Sequence, residues 1–309
     1  MVVNETKPIK RTNKQIPPLF RIEIYLILLV SIIGGLFWLN NKGKEIADKQ
    51  QEPIGYSNQS LQRDKQKPQK NSNTRENQPI ETPRPAEPKD VNDFGAVGSL
   101  NHQYLQSQPF SRLIVEIDYV ESTPPHKNSV GTFLSTLKRY VDKPEGVVRS
   151  GDNALKAQKD SYSIQDLLNI AKINRSNYSQ GNTVSLYVLY VNGGFDQNPG
   201  ALGVALSSSM FVIFQDKINQ AVTSLIFASE IEQAVLNHEL GHLFGLVNIN
   251  YQSSIDHEDA NHPNHSKNSG SVMYWVVEDI SVANVLRGGP PSQFDDADQE
   301  DIAKIKSGA

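Results

Sequence analysis

From Asn40 to about Asp93 the chain is dominated by Gln, Lys, Asn, Glu and Pro, as in QRDKQKPQKNSNTRENQPIETPRPAEPKD, and large apolar side chains are scarce. Such a stretch cannot offset its own ordering entropy by burial, so residues 40–93 read as a disordered linker and any core must come from elsewhere. Ahead of it the chemistry is different. Ile24 to Leu39 reads IYLILLVSIIGGLFWL without a charge, a rise of about 24 Å at about 1.5 Å per helical residue. Leu19 and Phe20 lengthen the span if Arg21 snorkels, so residues 19–39 are expected to be a transmembrane signal anchor in the lipid bilayer. Lys7, Lys10, Arg11, Lys14 and Arg21 precede it, against Lys42, Lys44 and Lys49 behind. That bias predicts a single-pass protein of the cell membrane, with the basic tail 1–18 cytoplasmic and the remainder extracytoplasmic. The rivals are a cleaved signal peptide, for which no clear small-x-small site follows Leu39, and a buried core helix.

Residues 94–309 are left to form one globular domain. Arg112–Val120 alternates as RLIVEIDYV and predicts a half-buried strand; Thr183–Val191, TVSLYVLYV, predicts another. Phe133, Leu137 and Val141 fall at helical spacing, as do Leu167, Leu168 and Ala171. Gly200–Phe214 holds two short apolar runs around three serines, the pattern of strands joined by a turn. A helix is expected to open at Ser229, with Glu232 completing a capping box, and a last one over about Asp296–Lys306. Helices and strands in alternation indicate a mixed α/β or α+β sheet domain.

Composition narrows the chemistry. The chain has no cysteine, which excludes disulfides, a disulfide-linked partner, thiolate metal sites and a cysteine nucleophile. A formal charge of −4 gives no whole-chain basic field for nucleic acid. Any metal must be held by His, Asp or Glu. The segment SEIEQAVLNHELGHLFGLVN supplies them: His238 and His242 lie one helical turn apart, so both imidazoles can converge on one ion. Glu239 beside them can reach a water on that ion without ligating it, as a general base for attack on a carbonyl. Two histidines and a carboxylate in so apolar a helix are costly to bury without a metal or partners. Five of the seven histidines, moreover, fall between positions 238 and 265.

His238, Glu239, His242 and Gly245 together resemble the metzincin clan of zinc metallopeptidases, whose pattern is H-E-x-x-H-x-x-G-x-x-H followed by a methionine turn. Asn248 stands where the third histidine belongs. Downstream, DHEDANHPNHSKNSGSVMYW carries Met273 in a segment similar to that turn. One branch, the archaemetzincins, continues from its third histidine as H-C-x4-C-x-M. Here the same spacing runs from His265 to Met273 with Ser266 and Ser271 in place of both cysteines, so that branch's second, cysteine-bound zinc is not expected. The resemblance implies a metzincin-like domain with a twisted sheet, an active-site helix as floor and Met273 beneath one zinc ion. It also implies peptide or protein substrate bound along Gly203–Ser207 by strand addition. Where some metzincins place a Tyr, two residues past the Met, this chain has Trp275, and Tyr274 is one residue early.

His265 is the expected third ligand, on its spacing to Met273, with His257 and His262 as alternates and Asp259 behind them. Gly245 is expected to end the helix in the left-handed turn that returns the chain toward the metal. The function expected is a membrane-anchored zinc endopeptidase. Two alternatives stay open: a degenerate metzincin that binds without cleaving, and a gluzincin-type hydrolase whose third ligand is Glu258 or Glu278. The acidic run Phe294–Asp301 reads as a solvated helix start, and His102 and His126 as surface residues.

Overall fold

The computed structural model describes residues 91–282 and 288–308. The basic tail and the expected anchor, and all but the end of the linker, lie outside them. The single-pass membrane localisation is corrected: among the described residues no helix is long and apolar enough to cross a membrane. Asp93, expected at the linker's end, is already part of the fold. Its buried carboxylate accepts from the Ser179 N–H at 2.7 Å and the Ser179 hydroxyl at 2.6 Å.

In chain order the elements are α1 (Asn101–Leu105), β1 (Arg112–Val120), α2 (Lys127–Tyr140), β2 (Val147–Leu155), β3 (Ser161–Tyr162), α3 (Ile164–Asn174), β4 (Thr183–Val191), β5 (Gly194–Phe195), β6 (Gly203–Ser207) and β7 (Met210–Phe214). There follow α4 (Gln215–Ala221), α5 (Ala228–Leu243), β8 (Glu258–Asp259), β9 (His262–Ser266), a 3-10 turn (Trp275–Glu278) and α6 (Asp296–Ser307). The main sheet has the order β2-β1-β4-β7-β6. Its first four strands are parallel, and β6 runs antiparallel to β7 on the edge.

The central strand β4 is buried on both faces because it is apolar at nearly every position, as a strand inside a covered parallel sheet must be. Val184, Leu186, Val188 and Tyr190 pack with Val130, Phe133 and Leu137 of α2 and with Val235, Leu236 and Leu240 of α5. Tyr187, Leu189 and Val191 face the other way, onto Leu167 and Ala171 of α3. Each fully buried side chain of this kind contributes about 1.5–3 kcal/mol. Strand β2 escapes sequence reading because VVRSGDNAL lies largely exposed and carries no apolar alternation. It bulges at Gly151 and Asp152, both at positive φ, and a side chain at 151 would meet the Ile117 carbonyl at 2.5 Å.

Helix α5 begins one residue earlier than the Ser229 expectation, and its capping differs. Glu230, not Glu232, reaches back to the Phe227 N–H at 2.9 Å. Glu232 faces inward instead, where it meets His126, the Tyr190 hydroxyl at 3.1 Å and Gln215 at 3.2 Å. His126 is therefore engaged by a buried carboxylate rather than free on the surface. At its other end α5 stops where expected, with Gly245 at φ 75°.

Candidate metal centre

His238 and His242 leave α5 one turn apart with their Nε2 atoms separated by 3.0 Å. The Nδ1 of His238 donates to the Val272 carbonyl at 2.7 Å, which fixes the tautomer and leaves the Nε2 lone pair aimed inward. His265, on β9, repeats the device. Its Nδ1 donates to the Pro263 carbonyl at 3.0 Å, and its buried Nε2 makes no hydrogen bond. Glu278, the last residue of the 3-10 turn, sets one carboxylate oxygen 3.3 Å from His265 Nε2 and the other 3.5 Å from His238 Nε2. Donor atoms of His238, His242, His265 and Glu278 all lie within 4.8 Å of one another.

Zinc with bonds of about 2.0–2.1 Å holds tetrahedral donors about 3.3–3.4 Å apart, and the separations of 3.0, 3.3 and 3.5 Å bracket that value. The protonation state of His242 agrees with it, whereas His265, which burial alone would lower, is raised by its contact with Glu278. Burial, then the neighbouring His238 and His265, push His242 well below the ordinary imidazole range, so it is the neutral donor a metal needs. Burial alone would raise Glu278, but its contacts with His238 and His265 outweigh that and hold it below the usual carboxylate range. The chain's residues fit a zinc ion.

Glu239 lies beside this cage, fully buried, approached by the Ala205 N–H but with neither oxygen in a well-formed hydrogen bond. Burial first, then the Glu278 charge, push its pKa well up, opposed by the Ala205 N–H above it. Strand β6 can run this close only because position 203 has no side chain: a Cβ there would sit 2.5 Å from Glu239 Oε1. Gly241 is a second such requirement, one the sequence reading passed over. A Cβ at 241 would fall 2.2 Å from the sulfur of Met273, which is buried against the helix face carrying both histidines. Gly241→Ala is expected to cost about 1–3 kcal/mol through overpacking, against a helix-propensity gain of about 1 kcal/mol. A lower urea midpoint with unchanged slope is the measurement that checks it.

The remaining candidates lie elsewhere. Asn248 donates to Glu258 at 2.7 Å and accepts from the Ser253 N–H at 3.0 Å, closing the loop after α5. Glu258 is thereby tied to Asn248 and to the Asn264 N–H, outside the cage, which leaves Glu278 as the carboxylate in it. His262 stacks on Trp275 with ring centroids 4.1 Å apart and pairs with Asp259 at 2.9 Å. His257 is buried against α6, 3.2 Å from Asp301 and 3.6 Å from Asp298. The acidic run is thus only partly a solvated helix start. Asp295 and Asp298 cap α6 reciprocally, while Asp298 and Asp301 are fully buried.

The fold and site define a mixed α/β domain whose edge strand borders a three-histidine, one-carboxylate cluster. No family model matches the chain, and no curated protein does. Among solved structures, archaemetzincin from Methanopyrus kandleri matches with a TM-score of 0.44 and 15% identity, over 63% of this chain and 96% of that one. At that score the likeness decides nothing, and the chemistry of the site stands on its own distances.

Proposed function

We propose that this protein is a zinc-dependent peptidase, with His238, His242 and His265 holding the ion and Glu239 acting as general base. The observation that carries the reading is the convergence of three Nε2 atoms, two of them in tautomers fixed from behind, beside a buried carboxylate without a well-formed hydrogen bond. Bound there, zinc supplies Lewis acidity, polarising a carbonyl and lowering the pKa of water. The chain's own groups do the rest. Strand β6 pairs only with β7 among the described strands, so its outer edge offers free backbone groups to an extended peptide. The Ala205 N–H of this strand faces Glu239. Glu239 takes the proton of the attacking water as the C–O bond forms, then returns it to the leaving amine as the C–N bond breaks.

The test is metal content with turnover. The full chain should carry one equivalent of zinc, lose cleavage of a fluorogenic peptide library on chelation, and regain it with added zinc. Turnover that persists after complete chelation would refute the proposal.

A further inference from the structure

The geometry points to Glu278 as a fourth, displaceable protein ligand, which holds the zinc site closed until a substrate carbonyl takes its place; this rests on the zinc-peptidase reading. The first observation concerns lone pairs. His238 and His265 each donate Nδ1–H to a backbone carbonyl, so in their neutral forms both present unprotonated Nε2 atoms to Glu278. Carboxylate oxygens 3.3 and 3.5 Å from two such nitrogens need a proton or a cation between them, and a single zinc ion meets both nitrogens at once. Those distances are tetrahedral donor separations for zinc, and Glu278 supplies the corner that three histidines leave open.

The second observation concerns the backbone. The Leu202 N–H donates to the Glu278 carbonyl at 2.7 Å, and the Ile280 N–H donates to the Gly200 carbonyl at 2.9 Å. Ala201 and Asp279 form an antiparallel bridge between them. Residues 278–280 are therefore paired with the residues leading into β6, the strand proposed to receive substrate. The chain's own segment meets that track at its start, with a carboxylate at the metal corner. Exchange requires no covalent change: a substrate carbonyl oxygen replaces a carboxylate oxygen, and Glu278 turns out toward solvent, to which its side chain is already one-quarter exposed.

The experiment compares the full-length wild type, Glu278→Gln and Glu278→Ala, each loaded with Co2+ for its visible spectrum and titrated with Zn2+ against a chelator. The isosteric Gln variant guards against a folding defect in the Ala variant. Both variants should bind zinc about 100-fold more weakly, since loss of even an outer-shell partner costs about 10–100-fold. Their Co2+ spectra should change as a coordination position opens, and peptide turnover at saturating zinc should rise. Wild-type affinity and an unchanged spectrum in both variants would overturn the proposal while leaving the zinc-peptidase reading intact. Lower turnover in fully loaded variants would also overturn it, by making Glu278 a group that catalysis requires. A wild-type chain that takes up neither metal would sink the zinc reading itself.

Discussion

Glu239→Gln in the full chain should keep one equivalent of zinc and its folding midpoint while losing about 10²–10⁴-fold in peptide turnover. The two halves of that result come from the same observation. A buried carboxylate whose oxygens make no well-formed hydrogen bond contributes little to holding the fold, and burying it costs free energy. An amide of the same shape relieves part of that cost, so thermal unfolding should occur no lower than in the wild type. Glu239→Ala should lose as much activity, with a small cavity penalty added. A site that trades stability for chemistry behaves in this way. A Gln variant that unfolds early or sheds zinc would instead make Glu239 a structural residue, and near-normal turnover would remove it from the mechanism.

What could be read from sequence follows from how far each contact reaches along the chain. His238, Glu239 and His242 were legible because a helix converts a spacing of four into one face, and Gly245 because a left-handed turn there demands it. The β4 strand was legible from its unbroken apolar run. Strand β2 was not, since an exposed edge strand has no hydrophobic period to display. Glu278 could be named as a candidate ligand, but its entry into a cage with His265 depends on an irregular segment between residues 266 and 278. That segment is shaped by non-local bonds, such as Ser271 to Asp298 at 2.5 Å and Leu202 to Glu278 at 2.7 Å, which leave no periodic trace. Glu232 and Gly241 were misread or passed over for a related reason. Each is explained by a partner far away in sequence, His126 for one and Met273 for the other. The membrane expectation rested on the apolar run within residues 19–39 and the basic residues flanking it, and no helix among the described residues sustains it.

Alanine at His265, His257 and His262 should give three different outcomes, and the difference tests the site more sharply than any one variant. His265→Ala removes an Nε2 that lies among the metal-competent donors, so zinc should be lost to a chelator that the wild type resists, with little change in apo-protein stability. His257→Ala should do the reverse. It leaves Asp298 and Asp301 fully buried without the imidazole they share, and breaking a buried ion pair costs about 3–5 kcal/mol. The protein should then unfold early yet bind zinc normally at temperatures where it is folded. His262 stacks on Trp275 at the surface, its side chain 38% exposed, so its removal should change stability by about 1 kcal/mol or less and leave zinc in place. His265 was chosen from sequence on its spacing to Met273, and the chain holds that spacing through a parallel bridge between Ser266 and Tyr274, in which the Ser266 N–H donates to the Met273 carbonyl at 2.8 Å. That bond fixes β9 over the methionine and so fixes where His265 can reach. If His265→Ala retained zinc as tightly as the wild type while His257→Ala lost it, the third ligand would lie against α6 rather than α5, and the cage described here would not be the metal site.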